Sequence, residues 1–322
     1  MRIVSLFAGC GGLDLGLHRA GHKIVHASDF DKDSVESYNG YFKHKAELID
    51  VHKLKGKDLP DYDLLVGGFP CQGFSVANLY RSKEDSRNQL YTQIVRLLKE
   101  TKPKFFLLEN VAGILSLEKG AVVKQIVKEL TNVNKKDLGG YEVQYLKLNA
   151  ADYGVPQNRL RVIFLGIAKS FDSDVREKMF NHFPPEPTHT PLGDMISNKH
   201  LTLKDAISDL GDPDENYPIP NHVCNNHKVK ITGYIGNRKL DWNKPSPTIV
   251  GRGGGTGGPV IAVHPNLKRR FSVRESARIQ TFPDNFIFKG SISSQFRQIG
   301  NAVAVGFAEH LGAMLNRIEK HI

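Results

Sequence analysis

The chain has 322 residues, 40% of them hydrophobic and 24% charged, which excludes disordered, collagen-like and coiled-coil classes and leaves room for about two domains. Its 44 Lys and Arg against 34 Asp and Glu give a net charge of +10 and a pI near 9.3, the balance of a protein with a polyanionic partner. No apolar run approaches the roughly 18 residues of a membrane span.

The opening "MRIVSLFAGC" resembles a lipoprotein signal only loosely. Its apolar run is shorter than the roughly 7–15 residues of a signal core, and cleavage would destroy the glycine turn described next, so no leader is expected. Cys10, Cys71 and Cys224 form no disulfide framework, which suits a reducing, cytoplasmic location.

In chain order, apolar runs at 3–7, 24–27, 64–66, 105–108, 143–148 and 162–167 read as strands. Between them, 13–20, 31–38, 88–100 and 121–130 carry helical periodicity, with Gly21 at a helix stop and Gly120 at a helix start. Such alternation predicts an α/β fold, a mostly parallel sheet with helices on both faces. The pattern fails near 175: 180–222 is rich in Pro, Asn and His, and 251–258 reads "GRGGGTGG", so a smaller irregular domain is expected there. Helical periodicity returns at 273–280 and from Asn301 onward.

Charge is uneven along the chain. Residues 221–270 hold nine Lys or Arg, among them Arg238, Lys239 and Arg252, against the single acid Asp241. That cluster is the footprint of a nucleic-acid partner, or else a solvated basic surface.

The first strand runs into "FAGCGGLDLG", a glycine turn leading to a helix start, where backbone N–H groups face a ligand. The dinucleotide fingerprint is not met, because Asp14 stands at the third glycine position and its carboxylate would repel a pyrophosphate. Asp29, twenty residues after Gly9, is placed to accept hydrogen bonds from ribose hydroxyls. A nucleoside without phosphates fits both facts, S-adenosylmethionine being the common one; a purely structural glycine turn fits the first.

The sharpest signal is "GGFPCQGFS" at 67–75, which puts Cys71 in a Gly/Pro loop after a strand. A lone Cys is more often a small core residue than a nucleophile, yet no core position needs Gly67, Gly68 and Pro70 around it. One β-unit later "LLENV" places Glu109 at a strand end facing the same crevice, where a poorly solvated acid can hold and donate a proton.

At this point the chain resembles the DNA (cytosine-5)-methyltransferases of bacterial restriction–modification systems. Matching blocks run in order: "FAGCGG", "SDFD", Asp50, "GFPCQGFS", "EDSRNQL" with Asp85 and Arg87, "LLENV", "QNRLR", "KPSPTIVGRGGG", "RESARIQTFPDNF" and "QIGNAV". They span residues 2–306; Asp29 stands where Glu is more usual, and Asn158 sits inside the arginine block. The resemblance implies a Rossmann-like methyltransferase fold. It makes 1–175 and 272–322 a discontinuous catalytic and cofactor-binding domain, and 176–271 a target-recognition domain with Arg238, Lys239 and Arg252 on DNA.

It further implies that the Cys71 thiolate adds to carbon 6 of a flipped-out cytosine while Glu109 supports protonation at ring nitrogen 3, with Arg159 and Arg161 holding the base. Contacts to S-adenosylmethionine would come from Phe7, Gly9, Gly11, Asp29, Phe30, Asp50, Val51, Phe69, Leu90, Asn301, Ala302 and Val303. The partners implied are double-stranded DNA and a cognate restriction endonuclease acting at the same site without direct contact. A monomer without membrane association is expected.

"HVCNNH" places His222, Cys224 and His227 at spacings zinc could use, but a structural site needs four ligands in a paired pattern, so no metal is expected. Two other readings stand beside the main one: a transfer-RNA cytosine methyltransferase, disfavoured by Ser75, and a catalytically inert DNA-binding relative, disfavoured by intact Cys71, Glu109 and Arg161. An NAD dehydrogenase is disfavoured by Asp14.

Overall fold

The computed structural model describes residues 1–69, 88–214, 216–224, 240–251, 263–266 and 269–322. Its strands are β1 (Arg2–Leu6), β2 (Lys23–Asp29), β3 (Ala46–Leu48), β4 (Leu64–Gly68), β5 (Phe105–Val111), β6 (Tyr141–Asn149), the two-residue β7 (Gln157–Asn158) and β8 (Leu160–Ala168). All but β7 join a seven-stranded sheet in the order β3-β2-β1-β4-β5-β8-β6. Strands β3 to β5 of that order pair in parallel, whereas β8 is antiparallel to both its neighbours.

Near-continuous apolar strands mark a sheet covered on both faces. Alternate residues divide between the faces: Ile3, Leu64, Val66, Phe105 and Leu107 enter one core, and Val4, Leu65, Phe106 and Leu108 the other. The first face packs on α1 (Gly12–Arg19), α2 (Lys32–Tyr41) and the late helices; the second packs on α3 (Asn88–Thr101) and α4 (Ala121–Asn132), with Leu138 of the short α5 (Lys135–Leu138) at its margin. Gly21, at φ 97°, follows the end of α1, and Gly120, at φ 88°, caps the start of α4.

Beyond the sheet come α6 (Ser173–Phe180), the short pair β9 (His189–Thr190) and β10 (Asn198–Lys199), α7 (Leu203–Ile207) and β11 (Ser246–Pro247), which pairs with β7. α7 is the one described helix inside the stretch expected to be irregular; a reciprocal Thr202–Asp205 capping box starts it. Met179, Phe180, Phe183, Leu203, Ile207, Ile249 and Phe271 share one apolar cluster with the sheet's first face. The described part of 176–271 therefore packs on the main core.

The C-terminal helices are α8 (Val273–Ile279), α9 (Ile292–Asn301) and α10 (Val305–Glu319). Here the sequence reading needs correcting: Asn301 ends a helix and does not begin one. Ala302 adopts extended angles, and its N–H closes the last turn onto Gln298, so a short turn separates α9 from α10. α10 then lies along α1 at close range. A Cβ on Gly12 would stand 2.3 Å from the Val303 carbonyl oxygen, and one on Gly16 would stand 2.4 Å from the Ala308 Cβ. No helix among the described residues is long and apolar enough to cross a membrane.

Candidate active site

The strand order reverses between β1 and β4, and ligands of open α/β sheets bind outside the carboxyl ends of strands at such a point. The predicted residues gather there. After β1 the chain turns sharply, with Phe7, Gly9 and Gly11 all at positive φ (54°, 56° and 91°). At Gly9 a Cβ would meet nothing within 4 Å, so the turn faces open space. Asp29 at the end of β2 ties the turn down: its Oδ2 accepts the Gly9 N–H at 2.8 Å, while its Oδ1 accepts the Asp31 N–H at 2.8 Å. Burial pushes the Asp29 carboxyl above its usual range, and these N–H groups act against that shift.

Beside it Phe30 is 71% exposed, a large ring left in water at the crevice. β3 pairs with β2 so that Leu48 stands opposite Asp29, which brings Asp50 alongside. The exposed Asp50 carboxylate is held below the usual range by the His52 backbone N–H and then by the His52 ring, 2.7 Å from Oδ1. Val51 is buried, and its carbonyl accepts Arg96 Nη2 at 3.0 Å. Phe69 is buried against Tyr91, their rings 5.3 Å apart, and Leu90 is half-buried in the first turn of α3. The 301–303 turn closes the site from behind, Asn301 exposed and Val303 buried against Gly12.

The reacting side of the crevice is built by β4, β5 and β8. Glu109 lies opposite Ile163, and Val111 opposite Arg161, so Glu109 and Arg161 are diagonal neighbours on one face. Arg161 Nε sits 2.6 Å from Glu109 Oε1, both side chains about nine-tenths buried. Removing one partner of such a pair strands a charge in a poor solvent, at a cost of about 3–5 kcal/mol. Gly68 leaves room for the carboxylate: a Cβ there would stand 2.9 Å from Glu109 Oε2. Gly67 likewise borders Phe7, linking the two halves of the crevice. Asn110 donates through Nδ2 to the Phe69 carbonyl at 2.8 Å, fixing the strand end two residues before Cys71. Cys71 itself lies outside the described residues, as do Ser75, Asp85, Arg87, His227, Arg238, Lys239 and Arg252.

Two findings, on Asp14 and Arg159, depart from the sequence reading. Asp14 does not face a ligand: it is fully buried, accepting from Ser5 Oγ at 2.6 Å and Tyr38 Oη at 2.8 Å, so its charge cannot argue against a pyrophosphate. Arg159 has both terminal nitrogens committed to carbonyls: Nη1 to Ile249, and Nη2 to Gly300 and Ala302, at 2.7–2.9 Å. The expectation that it holds the base beside Arg161 gives way to a buried brace. His222 has Nε2 on the Gly211 carbonyl and Nδ1 on Ser272 Oγ, both at 2.9 Å, leaving neither ring nitrogen for a metal. Asn110, Gln157 and Gln280 were missed, although each lies inside a block quoted above; an Asn or Gln is expected to face water until burial shows what it holds.

The whole chain can be set against known proteins on this geometry. A family model described as C-5 cytosine-specific DNA methylase matches residues 1–317. This chain belongs to that family. Among curated relatives, the type II methyltransferase M.FnuDI of Fusobacterium nucleatum is 37% identical over 96% of this chain and 92% of its own length. M.NgoFVII of Neisseria gonorrhoeae is 36% identical over 94% of this chain and 83% of its own. A solved putative DNA modification methyltransferase from an E. coli prophage superposes with a TM-score of 0.70 at 27% identity, covering 99% of both chains. The S. pombe Dnmt2 methyltransferase shares the fold, with a TM-score of 0.71 at 20% identity over 98% of each chain. As a DNA (cytosine-5)-methyltransferase of this family, the chain has Glu109 and Arg161 paired on the strand end where its chemistry is expected.

Proposed function

We propose that the protein methylates carbon 5 of a cytosine flipped out of a specific duplex sequence, through a covalent adduct with Cys71. The observation that carries this reading is the Glu109–Arg161 pair, set against Gly68 at the end of the strand that leads into the Cys71 loop. Carbon 5 of cytosine is too weak a nucleophile to take a methyl group unaided. The Cys71 thiolate adds to carbon 6, and Glu109 delivers a proton to ring nitrogen 3, so that an enamine forms with its electron density at carbon 5. Arg161 orients the Glu109 carboxyl. After methylation, the carbon-5 proton passes to a water molecule, departure of the thiolate restores the ring, and the nitrogen-3 proton returns to Glu109. Both faces of the base must be reached, which requires the nucleotide to leave the stack.

The glycine turn fits S-adenosylmethionine: open space above Gly9, an acid at the end of β2 for ribose hydroxyls and an exposed ring at Phe30 for a purine. Bound there, it supplies an electrophilic methyl group. Asp29 and Asp50 orient the nucleoside, the glycine turn and the 301–303 turn enclose it, and Val51, Phe69 and Leu90 line the wall. Arg159 acts as a positioning residue. Residues 176–271 read the target, with Arg238, Lys239 and Arg252 on the DNA, and the modification protects DNA from an endonuclease of the same specificity. Cys71→Ala should abolish methyl transfer while S-adenosylmethionine affinity, measured by calorimetry, stays within a few-fold. Appreciable transfer by that variant would refute the mechanism.

A further inference from the structure

Two segments from opposite ends of the chain are joined by one ion pair beside the proposed methyl-donor site. Arg297 Nη2 sits 2.9 Å from Asp31 Oδ2, and Ser294 Oγ accepts from the same nitrogen at 3.1 Å. Asp31 directly follows the exposed Phe30, and its backbone N–H is the one that Asp29 Oδ1 accepts. Its own Oδ1 accepts the Ser34 N–H at 2.9 Å and caps α2. Arg297 stands four residues before Asn301, so the two lie on one side of α9. Each member of the pair thus adjoins a residue assigned to the donor.

The same two helices are joined a second time away from water. Ser37 Oγ donates to Gln298 Oε1 at 2.6 Å and accepts the Lys289 N–H at 2.7 Å, and Ser37 and Gln298 are both buried. That contact holds α2 on α9 whether or not the ion pair forms. The pair itself is open to solvent, Arg297 at 49% and Asp31 at 26% exposure, so it contributes little to the stability of the fold. Partial burial pushes the Asp31 carboxyl up, but the hydrogen bonds from Ser34 and the Arg297 guanidinium outweigh it and hold the carboxyl below its usual range.

We propose that Asp31 and Arg297 are positioning residues for the methyl donor: their ion pair clasps the Asp29–Phe30 turn to the Asn301 end of α9. The two walls of the pocket are then held in place before the ligand arrives, which saves the ordering that binding would otherwise require. The inference rests on the functional reading above, in which the donor sits between the glycine turn and the 301–303 turn.

The test is calorimetry of S-adenosylhomocysteine, which carries no net charge near neutral pH, so that salt acts mainly through the protein. Arg297→Met should bind it about threefold more weakly than wild type at low salt, and so should Asp31→Asn, which keeps the α2 cap. The double variant should be no weaker than either single one, because all three lack the same contact. Arg297→Lys should recover most of the affinity. Raising NaCl to about 0.5 M should bring the wild type down to the level of the variants, whose own affinity holds. In methyl transfer the KM for S-adenosylmethionine should rise by the same factor, with kcat and melting temperature unchanged. If Arg297→Met weakens binding further in the Asp31→Asn background, Arg297 meets the ligand itself and the clasp is refuted. Wild-type affinity in both single variants, whatever their melting temperatures, overturns it as well. Wild type that binds no S-adenosylhomocysteine under any condition would instead overturn the methyl-donor reading.

Discussion

Asp29 is the residue on which the cofactor assignment turns. Its Oδ2 accepts the Gly9 N–H and its Oδ1 the Asp31 N–H, and carboxylate oxygens can accept further hydrogen bonds from ligand hydroxyls. Replacing it with Ala removes the acceptor and also releases the Gly9 N–H. S-adenosylmethionine affinity should fall by about 1–3 kcal/mol in calorimetry, with DNA affinity in the absence of cofactor unchanged. Equal affinity in Asp29→Ala would remove the carboxylate from the site. The spacing of Asp29 from Gly9 was legible because strand, turn and strand have nearly fixed lengths. The difference between Arg159 and Arg161 was not. Two arginines two positions apart point the same way, and only the carbonyls converging on Arg159 and the carboxylate beside Arg161 separate a brace from a partner of the reacting acid.

At the scale of elements, α1 and α2 are joined beneath the glycine turn by a buried chain running from Ser5 through Asp14 and Tyr38 to His44 Nε2, 2.7 Å from the Tyr38 hydroxyl. Burial raises the Asp14 carboxyl from its usual 3.8 to about 6, opposed by the Ser5 and Tyr38 hydrogen bonds. Between those values the folded chain keeps a proton that the unfolded chain has released. Stability should therefore fall as pH rises from about 4 to about 6, by about 3 kcal/mol from this group. Asp14→Asn should flatten that slope in urea denaturation across the same range; an unchanged slope would assign it elsewhere. Most elements were legible from apolar runs, since strands buried on both faces leave strong ones. β3 was not, because only Ala46 of its three residues is buried, and α9 was not, because its buried face includes Ser294, Gln295 and Gln298.

For the whole molecule, the return of the C-terminal segment to the glycine turn was legible only through the resemblance, since no local pattern links Val303 to Gly12. The basic cluster of 221–270 was legible from charge alone. If its Lys and Arg touch phosphates, replacing Lys239 should weaken all duplexes alike and flatten the salt dependence of binding by about one unit of slope. If Arg252 or Arg238 reads a base edge, its Ala variant should relax one position of the methylated site, at about 1–3 kcal/mol per contact. A methylation profile over single-base variants of the site distinguishes the two, and an unaltered profile for both arginines would leave the cluster as an affinity device.

The central claim is that chemistry proceeds through a Cys71–cytosine bond next to Glu109. Fluorine at carbon 5 cannot leave as a proton does, so a duplex with 5-fluorocytosine in place of cytosine should trap the enzyme once the methyl group has been transferred. With S-adenosylmethionine present, the wild type should form a denaturant-resistant complex with that duplex, and Cys71→Ala should form none. A wild type that methylates ordinary DNA but leaves no such complex, or a Cys71→Ala variant that is trapped equally well, would contradict the account.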